Sequence, residues 1–260
     1  MDTLMLGFAL VFGAAVGSFL NVVILRLPRE DVSIVYPASH CPLCQHPLSW
    51  WENIPMLSYL LLRGRCRNCR ASISWMYPLV ELAMAVFSAG LFWQYGPSIE
   101  FGRLFVFFAA LLVIIFIDIH HQIIPDRISL PGIVLGFATS PFSETITWQQ
   151  SGLGVLLGGG LLYLVAWGYL VLAKRDGMGG GDIKLLAMIG AFLGWQSLVY
   201  VVFASSLSGS VIGIIAMLRQ GKGGKTRIPF GPFLAFGAIT WVLFQQQIML
   251  LWRMYLGLLH

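Results

Sequence analysis

The chain consists of long apolar blocks separated by short polar stretches. Two examples are LGFALVFGAAVGSFLNVVIL at residues 6–25 and LFVFFAALLVIIFI at residues 104–117. A run of about 18 or more apolar residues is long enough for a helix to cross a bilayer. The pattern therefore predicts an all-α integral membrane protein with a bundle of about eight transmembrane helices. The predicted spans are residues 4–25, 76–95, 102–119, 128–140, 152–173, 183–194, 197–218 and 229–251.

The longest polar stretch separates the first two spans. It divides the chain into a first transmembrane helix at residues 1–25, a cytoplasmic insert at residues 26–75 and a transmembrane bundle at residues 76–260. The predicted spans at 128–140 and 183–194 are short for a bilayer. We expect these two segments to tilt, to be shielded by neighbouring helices, or to merge with adjacent structure.

Composition and charge agree with a membrane protein. Hydrophobic residues make up 58% of the 260 residues and charged residues 10%, against about 25% charged residues in a typical soluble domain. Fourteen of the sixteen Lys and Arg residues fall on one side of the predicted topology, and only Arg103 and Arg253 fall on the other. Because cytoplasmic loops carry the excess of basic residues, the fourteen-charge side is predicted to be cytoplasmic. The basic loop at residues 219–227 is then a solvated cytoplasmic turn, and no nucleic-acid partner is expected.

The first span is expected to stay in the membrane as an anchor. Its N-terminal flank carries Asp2 and no basic residue, and its apolar run is longer than that of a signal peptide. Arg26 and Arg29 follow the span, which predicts that its C-terminal end faces the cytoplasm. Ser18 and Asn21 inside the span are predicted to hold helices together.

All four cysteines lie in the insert, where the sequence CPLC contains Cys41 and Cys44 and the sequence CRNC contains Cys66 and Cys69. Two C-x2-C pairs supply four thiolates, enough to close a tetrahedral zinc shell. Reducing conditions in the cytoplasm argue against disulfides, and a redox dithiol pair is the alternative. Four sulfur ligands leave no open coordination position, so a structural zinc is predicted. His40 and His46 flank the first pair and are predicted to be surface residues.

Two acids stand next to apolar segments. Asp118 ends the block before DIHHQIIPD, and Asp182 precedes the run IKLLAMIGAFLG. An ionisable group in such a place is costly, so function is the default hypothesis, and a carboxylate that only reaches the interface is the alternative. The chain between the two acids crosses the membrane out and back, which predicts both at the cytoplasmic face. Two neighbouring carboxyl groups can share one proton, so that one activates a water and the other polarises a carbonyl.

The stretch GMGGGDIK surrounds Asp182 with glycines. Gly177, Gly179, Gly180 and Gly181 are expected to let another backbone approach closely and to adopt positive φ angles, with a plain flexible loop as the alternative. The dipole of the following helix favours the carboxylate of Asp182. Asp118 lies in apolar surroundings, which favour its protonated form. Asp182 is therefore expected to be the base and Asp118 the acid.

Other ionisable residues nearby are given structural roles. Asp126 follows a proline and is expected to begin a helix. Glu81 lies inside the second span, where it either faces substrate or supports the site, or pairs with an arginine. His120 and His121 are expected to be interface residues without a catalytic role.

Together these stretches resemble the bacterial type IV prepilin peptidase family. The resemblance covers most of residues 13–194, in the stretches GSFLNVVILRLP, CPLCQHPLSWWENIPMLSYLLLRGRCRNCRASISWMYPLVE, DIHHQIIPD and GMGGGDIKLLAMIGAFLG. It implies that Asp118 and Asp182 are the catalytic pair of a membrane aspartyl endopeptidase. It also implies that the enzyme removes the basic leader of prepilin or pseudopilin precursors at the cytoplasmic face of the bacterial inner membrane.

The resemblance further implies a second activity, in which the insert methylates the new N-terminal residue with S-adenosylmethionine. No residue in the sequence is assigned to that methyl donor. A proton-coupled transporter is a competing class, because paired acids and glycine-broken helices also occur in carriers. Against it, both acids are predicted at one face and not at the midplane. A zinc-bearing scaffold is a third class, in which the acids would tolerate substitution and the cysteines would not.

Overall fold

The structure is a computed structural model that describes residues 3–29, 32–173, 179–220, 228–255 and 257. Gly177 of the glycine stretch lies outside the described residues, as do Asp2 and the basic residues at 174, 175, 222, 225 and 227 on which part of the charge prediction depends. The helices are α1 (Thr3–Arg26), α2 (Leu57–Leu61), α3 (Met76–Tyr95), α4 (Ile99–His121), α5 (Asp126–Thr139), α6 (Trp148–Ala173), α7 (Gly180–Leu193), α8 (Trp195–Gln220) and α9 (Gly231–Tyr255).

Six helices in the described part of the chain are long and apolar enough to cross a membrane: α1, α3, α4, α6, α8 and α9. This confirms a multi-pass membrane protein. Helices α5 and α7 lie where the two short spans were predicted, but each has only 14 residues. At about 1.5 Å per residue, such a helix is about 21 Å long, which is less than the roughly 30 Å of a hydrocarbon core.

Helix α7 is shielded by its neighbours, which is one of the three alternatives that the sequence left open for this short segment. All nine residues from Leu185 to Leu193 are buried. The helix packs against α5, α6, α8 and α9. A helix that is apolar all round and enclosed in this way does not need to match the bilayer thickness by itself.

The contact between α6 and α7 depends on small residues. The backbones of Gly154 and Gly190 touch, and a Cβ atom on either residue would collide with the carbonyl group of the other. Gly158 has the same relation to the backbone of Leu186. Close backbone approach through small residues is the usual way in which membrane helices pack. Here it fixes the position of the helix that carries Asp182.

The described chain divides into two compact units, residues 1–113 and residues 114–260. In the first unit, α1 packs along α3. The Nδ2 group of Asn21 donates a hydrogen bond to the Tyr77 carbonyl at 3.1 Å, and the Ser88 hydroxyl donates to the Ala9 carbonyl at 2.6 Å. The prediction that Asn21 holds helices together is therefore confirmed. In the second unit, α5, α6, α8 and α9 pack around α7.

Candidate active site and metal centre

Asp118 lies one turn before the end of α4 and is only 5% exposed. Its Oδ2 atom accepts a hydrogen bond from the Gly231 N–H at 2.9 Å. Gly231 is the first residue of α9, so the positive end of that helix dipole faces the carboxylate. A Cβ atom on Gly231 would lie 2.6 Å from the same Oδ2 atom, so a larger residue at position 231 would require the Asp118 carboxyl group to move.

Asp182 lies in the first turn of α7 and is partly buried. Burial and the negative charge of Asp118 raise the pKa of Asp182 from 3.8 to about 6. The second of these causes requires the two carboxyl groups to be within electrostatic reach of each other. The structure thus brings together in one unit the two acids that the sequence separates by 64 positions.

Ile124 fills the space beside these acids. A Cβ atom on Gly181 would lie 2.8 Å from the Ile124 Cβ atom, and one on Gly231 would lie 3.3 Å from the Ile124 Cδ1 atom. The N-terminal ends of α7 and α9 therefore both approach this one side chain. Two helix N-termini converge next to the acid pair, an arrangement that favours negative charge.

Two expectations about the glycine stretch need correction. Gly179 precedes α7 with φ −70° and ψ 136°, while Gly180 and Gly181 are helical residues. None of the three has a positive φ angle. What the glycines provide is room, as at Gly181. The helix dipole also does not distinguish the two acids, since Asp182 lies within the first turn of one helix and Asp118 faces the start of another.

The neighbouring ionisable residues have structural contacts. Lys184 Nζ contacts both carboxylate oxygens of Asp126, at 2.7 and 2.8 Å. This pair joins the start of α5 to the N-terminal part of α7, in agreement with a structural role for Asp126. The His120 ring contacts the Phe116 carbonyl through Nδ1 at 2.7 Å, and His120 and His121 are both exposed.

Sequence reasoning missed Gly231 and Ile124. A usable signal was present in the sequence PFGPF, because a Gly-Pro pair at the start of the last predicted span marks a helix N-terminus. The predicted topology places the start of this span, residues 229–251, on the cytoplasmic face, as it does Asp118. Nothing in the sequence indicated that Ile124 would separate the two helix ends.

The four cysteine sulfurs form a compact cluster in the first unit. All four Sγ atoms lie within 4.8 Å of one another. The distance from Cys41 to Cys69 is 3.8 Å, and that from Cys44 to Cys66 is 3.9 Å. A tetrahedral metal with bonds of about 2.3 Å to sulfur holds its ligands about 3.8 Å apart, so these residues fit such a centre. His40 and His46 are not members of the cluster.

The two cysteine pairs have the same local backbone. The Cys41 N–H donates to the His46 carbonyl at 2.9 Å. In the second pair, the Cys66 N–H donates to the Ala71 carbonyl at 2.8 Å. A hydrogen bond from the His46 backbone N–H, followed by one from the side chain of Asn68, lowers the pKa of Cys44 to about 6. This favours the thiolate, which is the form that binds a metal.

Glu81 connects α3 to the insert. It is 7% exposed, and its Oε2 atom accepts a hydrogen bond from the Met56 N–H at 2.7 Å. The partner of Glu81 is a backbone group of the insert. Pairing with an arginine was one of the alternatives that the sequence left open. Met56 itself has a φ angle of 57°, and it immediately precedes α2.

Fold and sites together define a multi-pass membrane protein that carries a buried carboxyl group at Asp118, a partly buried one at Asp182, and a separate four-cysteine module. Comparison with known proteins agrees with that class. The bacterial peptidase A24 N-terminal domain matches residues 11–95, and the type IV leader peptidase family matches residues 105–214. No solved structure matches the chain.

Curated relatives match almost the whole chain. The prepilin leader peptidase/N-methyltransferase of Stutzerimonas stutzeri is 39% identical over 262 residues, covering 92% of this chain and 91% of the relative. The protein of the same name from Pseudomonas aeruginosa is 37% identical over 261 residues, covering 92% and 90%. That from Pseudomonas putida is 38% identical, covering 90% and 89%. The chain belongs to the type IV leader peptidase family, and the resemblance drawn from its motifs is confirmed.

Proposed function

We propose that this chain is a membrane aspartyl endopeptidase that removes the leader from type IV prepilins or pseudopilins. The observation that carries the proposal is the pair Asp118 and Asp182. The second carboxyl group responds to the charge of the first. The pair is enclosed by the starts of two helices, and the type IV leader peptidase family is matched over the residues that include it.

The pair supports peptide hydrolysis without a metal at the site of reaction. One carboxylate removes a proton from water, and the other, protonated, donates a hydrogen bond to the carbonyl oxygen of the scissile peptide. The water oxygen bonds to the carbonyl carbon, and the C–N bond breaks when the leaving nitrogen takes up a proton. If the two carboxyl groups of Asp118 and Asp182 share one proton, the roles of acid and base belong to the pair.

The same chain is proposed to methylate the new N-terminal amine, as the name of its relatives implies for them. The methyl donor would be S-adenosylmethionine. The family match at residues 11–95 is separate from the match to the peptidase family, which supports assigning this activity to the insert at residues 26–75 and the helices that flank it.

The metal of the four-cysteine module is proposed to be a structural zinc ion. Cys41, Cys44, Cys66 and Cys69 would hold it. Four thiolates satisfy the tetrahedral preference of zinc and leave no position for water, so its contribution is to the folding of the insert. An insert of about 50 residues buries only a small core of its own, so a bound metal would add to its stability.

The protein is proposed to lie in the bacterial inner membrane with the insert and the acid pair at the cytoplasmic face. The distribution of basic residues supports this orientation. The topology predicted from the sequence has two spans, residues 76–95 and 102–119, between the insert and Asp118, which supports one face for both. Prepilin leaders are basic and would be presented at that face.

The proposal is tested by co-expressing the chain with a prepilin precursor and measuring the intact mass of the pilin. Loss of the leader mass reports the peptidase, and a further gain of one methyl group reports the methyltransferase. Transport of a proton-coupled solute in proteoliposomes, with the precursor left uncut, would support a transporter instead. An uncut precursor that still binds to the chain would support a scaffold.

A further inference from the structure

The first unit contains a cavity of about 650 Å³ between α1, α3 and the insert. This volume is in the range of pockets that bind a cofactor or another small molecule. Its wall includes polar side chains from all three parts, among them Asn21 from α1, Glu81 from α3, and Glu52 and Arg67 from the insert. Cys41 and Cys66 also line it, so the four-cysteine module forms part of the wall.

Asn21 lines this cavity and carries an unsatisfied acceptor. The residue is 2% exposed, and its Nδ2 group is held by the Tyr77 carbonyl at 3.1 Å. That bond fixes the orientation of the amide. Its Oδ1 atom is buried and has no hydrogen-bond partner among the described residues. A buried acceptor of this kind is unfavourable unless a donor reaches it, and such groups are rare in native proteins. A ligand N–H in the cavity would supply that donor.

Two buried carboxylates add acceptors to the same wall. Glu52 is 7% exposed, and its Oε2 atom accepts from the Ser49 N–H at 2.8 Å. Glu81 is held in the same manner by the Met56 N–H. A carboxylate has about four acceptor positions, so each of these retains the capacity to bind further donors. Carboxylates that accept from the hydroxyl groups of a ribose are a common element of nucleoside sites.

Guanidinium groups complete the set. Arg67 lines the cavity, and its Cζ atom lies 5.0 Å from the centre of the Trp51 ring, which holds the side chain in place. Arg26 and Arg29 also line it, and Arg26 donates to the Ser33 carbonyl at 3.1 Å. Arginine is well suited to bind the carboxylate of an amino acid. The wall therefore offers partners for an amine or amide N–H, for a diol and for a carboxylate.

We propose that this cavity binds S-adenosylmethionine and that Asn21 Oδ1 accepts a hydrogen bond from an N–H group of the bound molecule. The molecule joins a nucleoside, with an amine and a ribose diol, to an amino acid, with a carboxylate. This combination matches the partners in the wall. The inference rests on the proposed methyltransferase function and assigns to that function a cavity and a residue that contacts the ligand.

The test is equilibrium binding of S-adenosylmethionine and S-adenosylhomocysteine to the purified full-length protein with its metal, in lipid nanodiscs. Asn21→Ala removes the acceptor and is expected to weaken binding about tenfold or more. Glu52→Gln keeps an oxygen for the Ser49 N–H but removes the charge, and is expected to weaken binding by a similar factor. The matched control is Ser88→Ala, which removes another polar link between α1 and α3 away from the cavity and should bind as the wild type does.

Metal content and a thermal melt report whether each variant is folded. If the Asn21→Ala protein has lost its metal, the affinity of the Glu52→Gln protein tests the inference instead. Wild-type affinity in a folded Asn21→Ala protein, or in Glu52→Gln if that substitution decides, overturns the inference. The precursor assay separates this result from failure of the proposed function. A pilin that is cleaved and methylated by a variant with unchanged binding refutes the cavity alone, whereas a precursor that is never methylated by the wild type refutes the methyltransferase.

Discussion

The Gly231 N–H donates a hydrogen bond to Asp118 Oδ2 across 2.9 Å, joining residues that are 113 positions apart in the sequence. This contact aims the start of α9 at a buried carboxyl group. A side chain at position 231 would displace the carboxyl group, because a Cβ atom there would lie 2.6 Å from the oxygen. A position that carries no reactive group thereby determines the orientation of an acid proposed to be catalytic.

The substitution Gly231→Ala should therefore impair leader cleavage, while the variant protein still folds and inserts into the membrane. The methyl group would push the Asp118 carboxyl group from its position, and a displacement of about 1 Å at a catalytic group can cost about 10²-fold in rate. The measurement is kcat for leader removal in detergent or nanodiscs. Gly160→Ala in α6, where a Cβ atom would meet nothing within 4 Å, is the control and should retain normal kcat. A normal kcat for Gly231→Ala would contradict the role assigned to this contact.

The pKa of Asp182 provides a prediction about pH. This carboxyl group titrates at about 6 because it is buried and because Asp118 is nearby. A base is lost when it takes up a proton, so cleavage that uses ionised Asp182 should fall about tenfold for each pH unit below 6. The measurement is the pH profile of kcat with a peptide substrate whose own charges do not change in that range.

A second measurement isolates the cause of that shift. In Asp118→Asn the neighbouring negative charge is absent, so the pKa of Asp182 should decrease toward its ordinary value of 3.8 while burial still keeps it above that value. Carbon-13 NMR of labelled aspartate side chains would report this directly. An unchanged pKa in the Asp118→Asn protein would mean that the two carboxyl groups do not interact.

The metal module leads to a prediction about composition and stability. The purified protein should contain about one zinc ion per chain. Substitution Cys44→Ser should reduce the metal content and lower the melting temperature, because a structural metal contributes to folding. Inductively coupled plasma mass spectrometry and a thermal melt are the measurements. His46→Ala serves as the control, since that side chain is not in the cluster, and it should retain the metal. Full metal content in Cys44→Ser would refute a four-sulfur centre.

Much of the fold was accessible from the sequence because a bilayer imposes its thickness on apolar segments. The predicted span at residues 76–95 coincides with α3 (Met76–Tyr95), and the prediction at 128–140 differs from α5 (Asp126–Thr139) by one or two residues at each end. The number of membrane spans was harder to predict, because α5 and α7 have only 14 residues each. Hydropathy alone does not distinguish a short span from a helix enclosed by other helices.

The two acids could be selected as candidates from the sequence because an ionisable residue beside an apolar segment has few structural reasons to be there. The hydrogen-bond partner of Asp118 could not be predicted, because a Gly-Pro pair marks a helix start at Gly231 but does not indicate which side chain its N–H binds. The conformation of Gly179 to Gly181 was predicted incorrectly for a related reason. Glycine permits both a positive φ angle and close packing, and the sequence does not say which of the two a given position uses.

The most direct test of the central claim is the rate of leader cleavage in Asp118→Asn, Asp182→Asn and the double variant. Residues that act as one unit are not additive. Each single substitution should lower the rate about 10²–10⁴-fold, and the double substitution should lower it little further. Asp126→Asn, which removes a surface ion pair near the same site, should remain close to wild type. Normal processing by either single variant, in protein shown to be inserted and folded, would contradict the account.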